Sequence, residues 1–144
     1  MRISPLLASE HARWLELWLA YQDFYGVSLD AAATAATWKK IQLGRVHGLA
    51  AHDAAGRIVG IVHYLFHEDT WSLQPACYLQ DLYVEPDARA AGYGRKLIES
   101  VGEAARQAGA NPPYWLTHET NLVARRLYDR VGKNNGFIQY SYAD

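Results

Sequence analysis

The sequence predicts one α+β domain, with a mixed, mostly antiparallel sheet and helices on both faces. Three observations carry that expectation. Periodic segments follow in the order helix, helix, hairpin, strand, helix, strand, helix, strand. Two apolar runs flank Ala54-Ala55-Gly56, which reads as the turn of an antiparallel hairpin. Arg89-Ala90-Ala91-Gly92-Tyr93-Gly94 then joins a strand to a helix and opens a βαβ unit. A length of 144 residues suits a single domain, residues 1–144, with room for its own core.

The elements follow from local signals. Ser9 to Tyr25 repeats Trp14, Leu17, Trp18, Tyr21 and Tyr25 at three- and four-residue steps, which predicts a helix stopped by Gly26. Leu29 to Leu43 predicts a second helix, with Asp30 near its start and Gly44 after its end. Val46 to Asp53 and Arg57 to Phe66 are the hairpin strands. Glu68 to Pro75 is a polar loop carrying Trp71, and Ala76 to Val84 a central strand. Gly94 to Ala108 is the clearest helix: Leu97, Ile98, Val101, Ala104, Ala105 and Ala108 form one apolar stripe, and Gly109 supplies the stop. Tyr114 to His118 reads as a strand, Asn121 to Val131 as a helix, and Phe137 to Tyr142 as a last short strand.

Composition excludes several classes. Half of the residues are apolar and the formal charge is −1, as in ordinary globular proteins. Lys and Arg are dispersed, which speaks against a nucleic-acid surface. Glu10 and His11 interrupt the apolar N-terminal patch, so neither a secretory signal nor a membrane span is expected. Cys77 is the only cysteine, which fits a reducing, cytoplasmic setting. No His-Glu-x-x-His or cysteine pair suggests a metal, and no Gly-x-Ser-x-Gly suggests a hydrolase.

Two constellations carry chemistry. A glycine-bearing loop between strand and helix aims backbone N–H groups at a phosphate, and Gly92 and Gly94 let the backbone come close. A plain strand-to-helix turn would use similar residues. A dinucleotide fingerprint wants a third glycine where Leu97 stands, and the antiparallel hairpin before the loop argues against that fold. No Gly-Lys-Ser/Thr follows, so a P-loop is excluded. Asn121, Ala124 and Tyr128 share one helix face, leaving a shallow groove with a phenol at one end. A half-buried packing tyrosine is the plainer reading of Tyr128.

Leu82-Tyr83-Val84, the Arg89 to Gly94 loop and Asn121-x-x-Ala124-x-x-Leu127-Tyr128 together resemble the GNAT family of N-acetyltransferases, from roughly Val46 to Phe137. Tyr78 to Val84, Tyr114 to Asn121 and the aromatic first half resemble its histone and polyamine acetyltransferase-like branch. The resemblance implies acetyl-CoA as cofactor. Arg89, Ala90, Ala91, Gly92, Tyr93, Gly94 and Arg95 would hold the pyrophosphate. Backbone groups of Leu82, Tyr83 and Val84 would bind the pantetheine and acetyl carbonyl, and Asn121 and Ala124 would border the cofactor arm. Tyr128 would be the general acid at the sulfur. A thiol ionises near a pKa of about 8.5 and a tyrosine about 10, so the phenol can donate as the thiolate leaves. An attacking ammonium, pKa about 10.4 for a lysine, must first lose a proton. Asp81 and Glu119 are the candidate bases and His118 a third, against the plainer reading of solvated loop charge.

The aromatic half would receive the acceptor. Most of Trp14, Trp18, Tyr21, Tyr25 and Trp38 suit core packing, while Tyr25 and Trp38 near helix ends suit a cation-binding wall. With Asp81, His118 and Glu119 they would take a small cationic amine: a polyamine, amino acid or lysine-like amine. Relative to many family members, Val131 to Asn135 intervene before Gly136-Phe137, so one sheet edge would be open. A homodimer covering that edge, by strand exchange or otherwise, is expected. The rival from another class is a non-catalytic acyl-CoA-binding sensor of the same fold. A third reading is a nucleotide-binding domain.

Overall fold

The computed structural model describes residues 1–143. Four strands form one antiparallel sheet in chain order: β1 Arg2–Pro5, β2 His47–His52, β3 Ile58–His67 and β4 Ala76–Val84. Helices α1 His11–Phe24 and α2 Ala31–Gln42 precede the hairpin, and α3 Tyr93–Gln107 and α4 Leu122–Val131 follow β4. The expected helices and hairpin are therefore present, within two residues at each end.

Local chemistry explains the helix ends. Asp30 caps α2 by accepting from the Ala33 amide at 2.7 Å, and Gly26, Gly44 and Gly109 take the positive φ at which helices stop. Each face of the sheet carries its own core. On one face Leu97, Ile98, Val101 and Ala105 of α3 pack on Leu49, Val62, Tyr64, Cys77 and Leu79. On the other, Trp14, Leu17 and Trp18 of α1 and Trp38 of α2 pack on Ala50, Ile58, Ile61 and Tyr83. Burying one such side chain contributes about 1.5–3 kcal/mol. Among the described residues no helix is long and apolar enough to cross a membrane.

Three expectations need correction. β1 was not anticipated: Arg-Ile-Ser-Pro shows little alternation, and the strand exists because its backbone pairs from Arg2↔His52 to Pro5↔Leu49. The segment Tyr114 to His118 is not a strand. Tyr114 alone makes a parallel bridge, with Tyr78, and exchanges backbone hydrogen bonds with Cys77 and Leu79 at 3.0 Å. The chain then diverges, so the βαβ unit is mixed through one residue pair. Phe137 to Tyr142 forms no ladder either. Phe137, Ile138, Tyr140 and Tyr142 are at least 76% exposed, because no strand after β4 offers them a template.

β4 also contains a bulge. Tyr64 pairs with Leu79 and His63 with Asp81, so Gln80 is the extra residue. Side-chain parity reverses there. Cys77 and Leu79 face the α3 core, and past the bulge so do Leu82 and Val84. Asp81 and Tyr83 thereby turn to the α1 face.

Candidate active site

Gly92 is the N-cap of α3, in the left-handed region at φ 90°, and Ala90 shares that region at φ 66°. Left-handed residues spaced like these build the concave amide surfaces that bind anions. The first helical amides, on Tyr93, Gly94 and Arg95, have no intrahelical acceptor; that of Lys96 is the first to reach back, to the Gly92 carbonyl at 3.1 Å. The amides and the helix dipole thus point unpartnered donors outward, a surface that suits an anion.

The loop is anchored from below by residues the sequence did not single out. Glu85 accepts from Arg13 at 2.6 Å and from Arg57, and its amide donates to the Val59 carbonyl at 2.9 Å. Arg89 folds back: its Nε donates to the Val84 carbonyl at 2.8 Å and its guanidinium lies over the Phe24 and Tyr83 rings. Arg95 pairs with Glu99 at 2.9 Å. Gly94 has a packing role besides its place in the loop. A Cβ there would stand 3.1 Å from Leu127 Cδ2, so the absent side chain lets α4 approach the start of α3. Tyr128, the next residue on α4, comes close with it.

Past Tyr114 the diverging chain opens a gap beside β4. That cleft is lined by Tyr21 of α1 and Tyr25 just after it, Leu79, Gln80 and Leu82 of β4, Trp115 and Leu116 of the diverging segment, and Tyr128. Trp115 meets the Tyr128 ring at a centroid distance of 5.6 Å. Burial, with a smaller contribution from Tyr25, pushes the Tyr128 phenol up to about 12. The phenol therefore stays protonated at neutral pH and is a donor. A second, more open cleft shares Tyr25 and adds Phe24, His118, Thr120 and Asn121. Asn121 Nδ2 donates to Thr117 Oγ1 at 3.2 Å.

Of the residues expected to act together, the structure brings Leu82, Tyr25 and Tyr128 to one cleft, and His118 and Asn121 to its neighbour. Ala124 is half-buried on the same helix. Tyr83 turns its ring into the α1 core. Glu119 lines neither cleft: it is exposed, and its carbonyl accepts from Arg125 at 2.7 Å. Trp38 is a correction. It is 8% exposed and packs on Trp14 at 4.9 Å and on His11, because α2 folds its aromatic face inward. Asp81 also lines neither cleft; it sits between the lining residues Gln80 and Leu82, is 17% exposed and is bonded to His63, a residue the sequence pattern did not mark. Nothing local marks His63; its partner is 18 residues away, on the next strand.

A family model described as the acetyltransferase (GNAT) family matches residues 12–132. The chain is 33% identical over 141 residues to the D-amino-acid N-acetyltransferase of Saccharomyces cerevisiae, covering 96% of this chain and 88% of that protein. It is 35% identical over 75 residues to the thialysine N-epsilon-acetyltransferase of Bos taurus, covering 52% of this chain and 44% of that one. The fold matches the crystal structure of a ribosomal-protein-alanine N-acetyltransferase from Brucella melitensis biovar Abortus 2308 with a TM-score of 0.82, at 17% identity and over 100% of both chains. It matches an aminoglycoside N-acetyltransferase solved in complex with CoA with a TM-score of 0.77, at 16% identity, over 99% of this chain and 98% of the other.

Proposed function

The chain belongs to the acetyltransferase (GNAT) family, and we propose that it moves the acetyl group of acetyl-CoA to the primary amine of a small cationic acceptor by direct attack. The observation that carries this reading is the cleft itself: a protonated, half-buried phenol at its wall, between β4 and the diverging chain. Family members use acetyl-CoA. Here the amides after Gly92 suit its pyrophosphate, and the open edge of β4 near Leu82 to Val84 suits the pantetheine. Asn121 and Ala124 lie on the helix that would border the arm.

In this reading the amine nitrogen attacks the thioester carbonyl, the C–N bond forms, and the C–S bond breaks from the tetrahedral intermediate. Tyr128 donates its O–H to the departing sulfur. Its raised pKa makes early, complete proton transfer unfavourable, so the phenol acts first as a hydrogen-bond donor and yields its proton as thiolate charge develops. Asp81 takes the role of anchor or base for the ammonium, with Tyr25 as an aromatic wall; the exposure of Glu119 favours Asp81. The similarity to a D-amino-acid acetyltransferase across nearly the whole chain supports an amino-acid amine as acceptor.

An acceptor panel of D- and L-amino acids, lysine analogues and polyamines, followed by thiol release, tests this. Turnover confined to neutral or anionic amines would refute the cationic acceptor. Tight acetyl-CoA binding without transfer to any amine would favour the sensor. We further propose a homodimer in which residues 133–143 pair with a second copy, supported by four large apolar side chains standing exposed on that segment. Light scattering should give a dimer mass; a monomer mass across a wide concentration range would rule it out.

A further inference from the structure

Beneath the acceptor side of the cleft runs a buried chain of hydrogen bonds that the reaction above does not require. Trp14, fully buried, donates from Nε1 to His63 Nε2 at 2.9 Å. His63, 1% exposed, contacts Asp81 Oδ2 through Nδ1 at 3.0 Å. An indole N–H can only donate, so His63 Nε2 is the acceptor. The imidazole then carries its proton on Nδ1 and donates that N–H as a hydrogen bond to Asp81 Oδ2. Tyr21 lies near Asp81: burial first, and then the neighbouring carboxylate, push its phenol up. Tyr21 stacks on Trp18 at 5.2 Å and packs on Tyr25 at 4.9 Å.

The chain thus gives the carboxylate a neutral donor. Among the described residues Asp81 contacts His63 and pairs with no Lys or Arg. A mostly buried carboxylate without a cation is costly, and nearby aromatic faces favour a cation beside it. The bulge at Gln80 turns Asp81 toward α1, where Tyr21 and Tyr25 reach the cleft.

We propose that Trp14 and His63 are positioning residues for acceptor binding, and that Asp81's counter-ion is the acceptor's own ammonium group. Trp14 fixes the His63 tautomer. His63 in turn occupies Oδ2 and fixes the rotamer of Asp81, leaving its charge for the ligand beside Tyr21. The inference rests on the acceptor reading above and names how that site chooses a cation.

The probe is D-lysine, with acetyl-CoA as the second substrate, and binding is measured by calorimetry as well as turnover. Trp14→Phe and His63→Leu should raise KM and Kd for D-lysine about tenfold and leave the KM for acetyl-CoA within twofold. His63→Asn keeps an N–H directed at Asp81 and should recover most of the loss. Nitrogen-15 NMR of the wild type should show His63 protonated on Nδ1 and bare on Nε2, a pattern lost in Trp14→Phe. Equal effects on both substrates, a His63→Asn variant as impaired as His63→Leu, or an Nε2-protonated ring would overturn the proposal. D-lysine binding that weakens in His63→Leu without any turnover would uphold this inference while refuting acetyl transfer to that amine. A wild type that binds no D-lysine would overturn it.

Discussion

The two faces of the sheet are built from different materials. The α3 face is mainly aliphatic, and its helix is contiguous in sequence with the loop: the stripe Leu97, Ile98, Val101 and Ala105 follows directly on Gly92. The α1 face is aromatic and polar. It assembles Trp14, Trp18, Trp38, His63 and Asp81 from four separate elements, with hydrogen bonds spanning 49 and 18 residues. In the proposed reading the first face positions the cofactor and the second meets the acceptor. A cofactor site can rest on one loop and one helix, whereas a site that chooses a partner is built from long-range contacts.

If the faces divide the work this way, substitutions should separate the two substrates. Tyr128 stands between them and should show the largest effect: Tyr128→Phe lowers kcat by about 10²–10⁴-fold with acetyl-CoA affinity nearly unchanged. A comparable loss of acetyl-CoA binding would place Tyr128 on the cofactor side only. Asp81→Asn comes next, with kcat/KM for cationic acceptors down on the order of 100-fold, corresponding to about 2.7 kcal/mol. An equal rise in the KM for acetyl-CoA would break the comparison. Gly92→Ala should do the reverse. A side chain at φ 90° is strained by roughly 1–2 kcal/mol, so acetyl-CoA binding should weaken about tenfold with the acceptor KM unmoved.

The smallest effect is on alkaline stability. The folded pKa of Tyr128, about 12, lies above the ordinary tyrosine value of about 10. Its contribution is therefore complete below pH 10 and is lost as pH rises through 12. Between pH 9 and 11 the wild type should lose on the order of 1 kcal/mol more stability than Tyr128→Phe, read by denaturant unfolding. Identical pH slopes would mean that water reaches the phenol.

Much of the loop and helices proposed for the cofactor was legible as structure. Gly92 and Gly94 are local signals, and the stripe of α3 is a helical period that needs no partner to be seen. Asn121, Ala124 and Tyr128 lie within one helix or at its cap. The half proposed for the acceptor was legible only as an excess of aromatic residues. Trp38 and Tyr25 looked alike at helix ends, yet one is core and the other borders both clefts. The segment from Tyr114 to His118 has strand composition, but a strand needs a partner along its length, and this segment pairs with β4 through Tyr114 alone, opposite Tyr78.

The sequence alone determined the four helices and the β2–β3 hairpin, the glycine at the start of α3 and the phenol on α4, because dihedral preference and helical period act over a few residues. The tertiary structure decided which face Asp81 occupies. Strict alternation would place Asp81 with Cys77 and Leu79, on the aliphatic face. The bulge at Gln80 moves it to the aromatic one, opposite His63. That bulge is a property of how β3 and β4 pair, and pairing between strands is set by the packing of both faces together.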